Sequence, residues 1–490
     1  MKHTIKNIFK ITSVALALLC STGCEKVDFG DINRDPNQTT EPITSALLTN
    51  ALGLASGRGI AATVWDQGGI RTIAGYYAQY FSQTQYTEFS RYTKTTTNMD
   101  LFYAGVMNDL QMIIDYNSND ATKEQAAANG SNNNQIATAR ILKAYNVWWM
   151  TNLWGDIPYS QALKGSGNVP YDKQQDIYKD LIKELKEAVD QFDGGASFKG
   201  DILFNGNITR WKKFANSVRM LMALQMSKVD ANLGKTEFAS ALSHAAGVIE
   251  SGADNATMVF PGGAYDNDFY NYYNVVLRDD EAVAKTMTDW LSSRNDPRIG
   301  AYGSSSVGFP YGLTRDNAVA FGNANTNFAR PIHPGLRTTT SPIVVLGAAN
   351  IWLARAEAAS RGWTAENAAT AYAKGIEESM RQWGVYSATG LVTYLAQSSV
   401  DLAAGSALDK IINQAWAAWY PNGMQGWNLW RRTNLPALTP APGQANPIPR
   451  RIAHGANEQN LNPTNWEAGV AGYTVNGEKD SQWGRMWWDN

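Results

Sequence analysis

Flat rings and side-chain amides, more than acid–base pairs, are what this sequence offers to chemistry. Its 490 residues include 17 Trp, 22 Tyr and 15 Phe, each ring joining a broad apolar face to an edge suited to ligand contact. Two stretches concentrate them. The first carries Trp65, Tyr76, Tyr77, Tyr80, Phe81, Tyr86, Phe89, Tyr92, Phe102 and Tyr103; the second carries Tyr265, Phe269, Tyr270, Tyr272 and Tyr273 beside Asp266 and Asn267. A pyranose has a flat C–H face that can lie on such a ring while Asn, Gln, Asp or Arg reach its hydroxyls, and a peptide would find the same surface useful. Tyr76, Tyr80 and Phe81 follow helical spacing and belong to a core, whereas Tyr270, Tyr272 and Tyr273 lie in loop-like sequence that favours outward display. The candidate ligand contacts are Trp65, Tyr86, Phe89, Tyr92, Asp266, Asn267, Tyr270 and Tyr272.

Catalytic patterns are sparse. Beyond residue 23 the histidines are His244, His333 and His454, with no His-Glu-x-x-His pattern and no close pair for zinc. No Gly-x-Ser-x-Gly elbow, phosphate-binding glycine loop or dinucleotide fingerprint occurs. Asp279-Asp280-Glu281 reads as a solvated face. Asp266-Asn267-Asp268 lacks the rest of a calcium loop and reads as a turn. Two carboxylates flanking a sugar would suffice for glycoside hydrolysis, and sequence does not show which acids converge. The expectation is therefore binding without catalysis, cofactor or metal.

The elements that must hold these rings are helices. Spacings of three and four place Tyr178, Leu181, Ile182, Leu185, Ala188, Val189 and Phe192 on one face of a helix over residues 172–192, with Asp172 and Gln175 as its capping start. Similar stripes predict helices over 136–154, 209–229, 237–250, 350–361 and 407–420. Over 350–383 two helical patterns meet at Gly362, and Ala368, Tyr372 and Gly375 give the small–aromatic–small order of a tetratricopeptide-like pair, or of any tight helical hairpin. The fold class is mainly α, with long loops at 252–278, 296–345 and the proline-rich 436–449.

Composition narrows the setting. Hydrophobic residues at 44% and charged ones at 18% describe a chain that folds. A formal charge of -2 gives no field for phosphate backbones, so nucleic acid is not an expected partner. Lys2, Lys6 and Lys10 precede an apolar run at 11–19, the pattern of an export signal over 1–23. Ser21-Thr22-Gly23-Cys24 resembles a lipobox with Ser where Leu is usual, which makes Cys24 the expected lipidation site and lipid the expected membrane attachment. Removing 1–23 leaves 39 basic against 44 acidic side chains. Residues 24–42 read as a tether, rich in turn formers and ending at Pro42, before a domain over 43–490.

Several segments, in order, resemble the SusD/RagB family of Bacteroidetes outer-membrane nutrient-binding lipoproteins, in its second SusD-like branch. They are Asp31 to Asn37, Leu153-Trp154-Gly155-Asp156-Ile157-Pro158-Tyr159, Thr209-Arg210-Trp211-Lys212-Lys213-Phe214-Ala215-Asn216-Ser217, Asn295-Asp296-Pro297-Arg298 and Ala356-Glu357-Ala358-Ala359. Trp419-Tyr420-Pro421-Asn422-Gly423, Trp430-Arg431-Arg432-Thr433, Pro449-Arg450-Arg451-Ile452 and Trp487-Trp488-Asp489 complete the series. The resemblance implies a SusD-like single domain, with tetratricopeptide-like helix pairs packed against a loop-rich ligand side. It also implies a surface lid on a SusC-like TonB-dependent outer-membrane transporter, delivering an oligosaccharide or a peptide without enzymatic action. It assigns no binding residue. Trp154, Trp211 and Arg432 lie in or beside helical patterns and are expected to serve folding.

Overall fold

In the computed structural model, residues 41–53 and 70–490 are described, and side chains from residue 73 onward in the second stretch. Trp65 and Cys24 lie outside the described residues. The scaffold over 44–490 is built from helices that pack as consecutive partners. After α1 (Thr44–Leu52) and α2 (Ile70–Tyr77) comes β1 (Phe81–Gln83). Then follow α3 (Asn108–Ser118), α4 (Asn132–Trp154), α5 (Gln174–Gln191), α6 (Ile208–Gln225) and α7 (Ala231–Leu242). Helix α4 packs on α5, and α6 on α7. The second half has β2 (Ala256–Met258), β3 (Glu281–Val283), α8 (Arg315–Ala324), β4 (Ile343–Leu346) and α9 (Ala348–Ser360). It closes with α10 (Ala368–Gln382), α11 (Ala407–Trp419) and α12 (Gly423–Thr433). Among the described residues the strands form two-stranded ladders, β1 with β3 and β2 with β4 among them.

The tetratricopeptide-like pair is α9 and α10. Gly375 lets their backbones close, since a Cβ there would stand 2.6 Å from Leu353 Cγ. Expected stripes elsewhere become helices with shifted ends. Helix α4 exceeds its expected stripe: Ala144 to Trp154 are all buried, as in a helix surrounded by protein. Asp172 does not cap α5. Its carboxylate accepts from the Tyr159 and Ser160 amides, at 3.0 and 2.8 Å, while the first-turn amide of Gln174 donates to Asp156 from the Leu153–Tyr159 segment, at 2.9 Å. The helix expected over 237–250 stops at Leu242. Beyond it the chain turns at Gly247 (φ +73), and Asn216 and Ser217 of α6 pin the Gly247 carbonyl and the Ile249 amide. Val248 and Ile249 are thus buried without being helical. The expected loop 296–345 contains α8, whose Ala318 and Phe321 complete a small separate core with Phe309 and Phe328. One short apolar pair gave too little periodicity to announce it. Residues 436–449 carry no regular element, as their prolines require.

Trp154 and Trp211 are fully buried. Arg432 donates from both terminal nitrogens to Glu357, at 2.5 and 2.7 Å, tying α12 to α9. Arg298 is held between Asp296, Ser379 and Gln414, with Tyr394 donating to Asp296. Breaking such a pair from one side strands a buried charge, at a cost of about 3–5 kcal/mol. Arg432→Met should therefore lower the urea unfolding midpoint by an amount equivalent to about 3 kcal/mol or more. A change below about 1 kcal/mol would show that water or Arg361 takes over the Glu357 charge.

Candidate functional site

The two aromatic stretches of the sequence, nearly two hundred residues apart, meet at the β1–β3 ladder. Phe81 pairs with Val283, Ser82 with Ala282 and Gln83 with Glu281, antiparallel and wholly buried. The ladder continues outward, since the Thr84 amide donates to the Asp280 carbonyl at 2.8 Å and its hydroxyl to the Asp279 carbonyl at 3.2 Å. The segment after β1 and the segment before β3 consequently leave the body side by side.

The first segment is tied at both ends and open in the middle. Gln83 Oε1 accepts from the amides of Phe89 and Ser90, at 3.0 and 2.9 Å, and Arg91 donates to the Gly312 carbonyl at 2.7 Å. Between these ties Tyr86 is 48% exposed, with the Arg278 guanidinium 5.6 Å from its ring centre. Arg278 is oriented by its ion pair with Asp280 and by its amide, which donates to the Tyr272 carbonyl at 3.0 Å. Just before it, Val275, Val276 and Leu277 are 56%, 50% and 77% exposed, an apolar ledge beside the Tyr86–Arg278 pair in the chain.

A pocket of about 190 Å³ is lined by Phe269, Ile332, Leu336, Pro342, Trp383 and Pro421, with Asn267, Ser341 and Gln382 as polar groups. Among the described residues the Trp383 indole nitrogen has no hydrogen-bond partner, nor have Nε and Nη1 of buried Arg337. Arg337 follows Leu336 of the pocket wall and lies 4.1 Å above the Tyr273 ring. These N–H groups can donate to hydroxyl or carbonyl oxygens.

Among the expected contacts, Tyr86 is presented, Phe89 and Tyr270 are half-buried, and Asp266 is half-buried with a buried Oδ1 that has no partner among the described residues. Three are placed otherwise. Tyr92 lies in the core with φ +69, and its hydroxyl accepts from the Ala441 amide at 2.8 Å. Asn267 is an N-cap: its Oδ1 accepts from the Phe269 and Tyr270 amides and its Nδ2 donates to the Ser341 carbonyl, so it holds the pocket wall in place. Tyr272 is buried edge-on to Tyr273 at 5.0 Å. Loop-like sequence did not imply outward display of Tyr272, because residues 268–275 wind into two short helical turns that bury Phe269 and Tyr272. Arg278, Arg337 and Trp383 were not singled out from sequence. The aliphatic run 275–277 in otherwise polar, loop-like sequence was the one available signal for Arg278.

Asp279-Asp280-Glu281 is only in part a solvated face. Glu281 begins β3 and is 3% exposed; Tyr76 donates to its Oε1 at 2.6 Å, while Oε2 has no partner among the described residues. Burial pushes its carboxyl up to about 8. The histidines have local roles: Nδ1 of His244 and of His333 accepts from the amide two residues on, and His454 is buried against Asp480 at 3.0 Å. Among the described residues no three His, Cys, Asp or Glu side chains stand close enough to hold a metal ion.

A family described as starch-binding and associating with the outer membrane, SusD-like in its second branch, matches residues 36–454. The chain belongs to this SusD-like family. Among solved structures, a chitin-binding protein of 28% identity covers 91% of this chain and 99% of its own, with a TM-score of 0.75. A SusD homologue from Parabacteroides distasonis, 21% identical, covers 91% and 98% with a TM-score of 0.76. A chitin-binding SusD homologue from Flavobacterium johnsoniae, 23% identical, covers 91% and 98% with a TM-score of 0.73. These last two show the SusD-like fold. No curated protein matches the chain. Among the described residues no helix is long and apolar enough to cross a membrane.

Glu281 yields a pH prediction for this SusD-like chain. A carboxyl raised in the folded state binds its proton more tightly there than in the unfolded chain. Its stabilising contribution is full below about pH 4.5 and lost as pH rises to about 8, at roughly 1.4 kcal/mol per pH unit. Glu281→Gln should flatten the stability profile between pH 5 and 8, measured by urea unfolding. Parallel profiles for variant and wild type would show the carboxyl to be ionised in the fold.

Proposed function

We propose that this chain binds an oligosaccharide without changing any bond in it, and hands it to a TonB-dependent outer-membrane transporter over which it closes as a lid. The observation that carries the proposal is the meeting of Tyr86 with Arg278 at the outer end of the β1–β3 ladder, in a chain whose apolar pocket is walled by Trp383 with Asn267, Ser341 and Gln382 as polar groups. A ring, a guanidinium and fixed donors suit a sugar's C–H face and hydroxyls. Family membership supports carbohydrate as the ligand class and the outer membrane as the setting. The chitin-binding structure makes a polymer of N-acetylated sugars the first to test. The ligand contacts are Tyr86, Phe89, Asp266, Tyr270, Arg278, Arg337 and Trp383, with Trp65 joining from outside the described residues. Asn267, Tyr92 and Tyr272 hold these in place. Cys24 carries the lipid, and the protein faces the cell surface.

A lid requires that ligand favour the closed state over the open one, because a ligand with equal affinity for both shifts nothing. Modest affinity with a sizeable difference between states is enough.

Calorimetry against chitohexaose and maltohexaose tests the site. Tyr86→Ala and Arg278→Ala should each weaken the bound sugar by about three- to tenfold, the range of one aromatic or cation–π contact, with unfolding unchanged. Full affinity in both variants would remove this rim from the site. Preferential binding of hexapeptides would transfer the role to peptide capture, and release of reducing sugar by the purified protein would overturn the non-catalytic reading.

A further inference from the structure

A second groove, lined by none of the pocket residues above, lies between the proline-rich segment 436–449 and the C-terminal segment 475–485. Its volume is about 480 Å³, inside the range of about 300–1,000 Å³ common for small-molecule sites. Asn446, Pro447, Asn476, Glu478, Trp483 and Arg485 line it.

Its ring is fixed. Trp483 is half-buried, and its indole nitrogen donates to the Pro447 carbonyl at 2.9 Å, which sets the ring's orientation and spends its one donor within the protein. A contact through that ring is therefore a contact with its face or carbon edge. The polar groups around it differ in kind. Asn476 (φ +51) and Gly477 (φ +82) form the tip of a tight turn closed by two backbone bonds between Val475 and Glu478, so the Asn476 amide is held out on a stiff support. The Asn476 and Asn446 side chains are exposed and make no hydrogen bond among the described residues. Charges are matched: Lys94 pairs with Glu478 at 2.8 Å and Arg450 with Asp489 at 2.6 Å, and Arg485 lies 3.6 Å from Asp489 and donates to its carbonyl at 3.0 Å while its side chain remains 50% exposed.

A fixed aromatic face, two free amides and an accessible guanidinium are the complement of an uncharged pyranose, with C–H groups on one face and hydroxyls at its edge. A peptide would call for a strand edge or for sockets taking alternate side chains, and this groove supplies a single ring flanked by side-chain donors and acceptors. We infer that the Trp483 groove is a second saccharide-binding site, separate from the Tyr86–Arg278 rim. It rests on the carbohydrate reading of the previous subsection but not on the residues that carry it. The chain between them is continuous: residues 86–94 run from Tyr86 to Lys94, whose ammonium meets Glu478 on the groove wall. One polymer long enough to lie along both sites would gain from two linked weak grips.

The test is calorimetry on the mature chain with hexasaccharides of the gluco-, manno-, xylo-, galacto- and chito- series. Four variants are compared with wild type: Asn446→Ala/Arg485→Ala, Trp483→Ala, Tyr86→Ala/Arg278→Ala, and the first and third combined. Asn446 and Arg485 are exposed, so the first variant reports even if Trp483→Ala perturbs folding. Two equivalents of hexasaccharide should bind the wild type, and Asn446→Ala/Arg485→Ala should abolish one or weaken it about tenfold. The Tyr86→Ala/Arg278→Ala variant should keep that same equivalent, and the combination should lose both. A single equivalent that depends on Tyr86 and Arg278 and ignores Asn446, Arg485 and Trp483 would overturn the groove while leaving the proposed function standing. No binding of any series by wild type would overturn both.

Discussion

Three residue pairs of buried backbone set where this protein can meet a ligand. The ladder of Phe81–Gln83 with Glu281–Val283 is short, but both strands are buried and the sheet edges are occupied: the Val283 amide donates to the Ala329 carbonyl at 2.7 Å and its carbonyl accepts from Phe309 at 2.9 Å. Tyr80, just before β1, donates its hydroxyl to the Trp416 carbonyl, and its own carbonyl accepts from the Ala284 amide at 3.0 Å. The seam is thereby fastened to the helical body through α11. Because register in a ladder fixes which residues stand opposite, Thr84 must face Asp280, and the segments holding Tyr86 and Arg278 must emerge together. A slip of one residue would turn Glu281 outward and disperse the rim.

The body that supports this seam solves a problem created by its own composition. Tryptophans and tyrosines bury much apolar surface, yet each carries a polar atom that needs a partner. Asn152 in α4 serves several at once: Tyr178 and Trp488 donate to its Oδ1 at 2.6 and 3.0 Å, and Arg431 donates to its carbonyl at 2.8 Å. Arg431 in turn lies 3.6 Å from the Trp427 ring centre and 4.8 Å from that of Trp488. Segments that resemble the family in sequence recur at these junctions, as Arg451 shows by donating to the Trp154 carbonyl and pairing with Asp480 at 2.6 Å. Their residues supply buried hydrogen bonds and ion pairs between distant parts of the scaffold, which is a different task from touching ligand.

How much of this could be read from sequence follows from the range of the interactions. Helices α5, α6, α9 and α11 were legible because their apolar spacing is local. So was the close crossing at Gly375. Asp172 was misread because the true cap of α5 comes from Asp156, across a loop, and α8 was missed because its two core-facing residues, Ala318 and Phe321, make no period. At the ligand rim, sequence supplied Tyr86 and the aromatic second stretch but not their meeting, which depends on a pairing across about two hundred positions. Tyr92, Asn267 and Tyr272 share residue types with ligand contacts, and only burial separates a ring or amide that faces ligand from one that faces core. Arg337 and Trp383 carried no signal, since their importance lies in donors left without protein partners.

Residue-level hydroxyl-radical footprinting of the mature chain, with and without its tightest-binding hexasaccharide, tests the central claim most directly. The account predicts protection at Tyr86, at Val275 to Arg278 and at Leu336 and Trp383, with the paired faces of α4 to α7 unchanged. Protection confined to those helices, with Tyr86 and Leu277 as reactive as in the free protein, would contradict it.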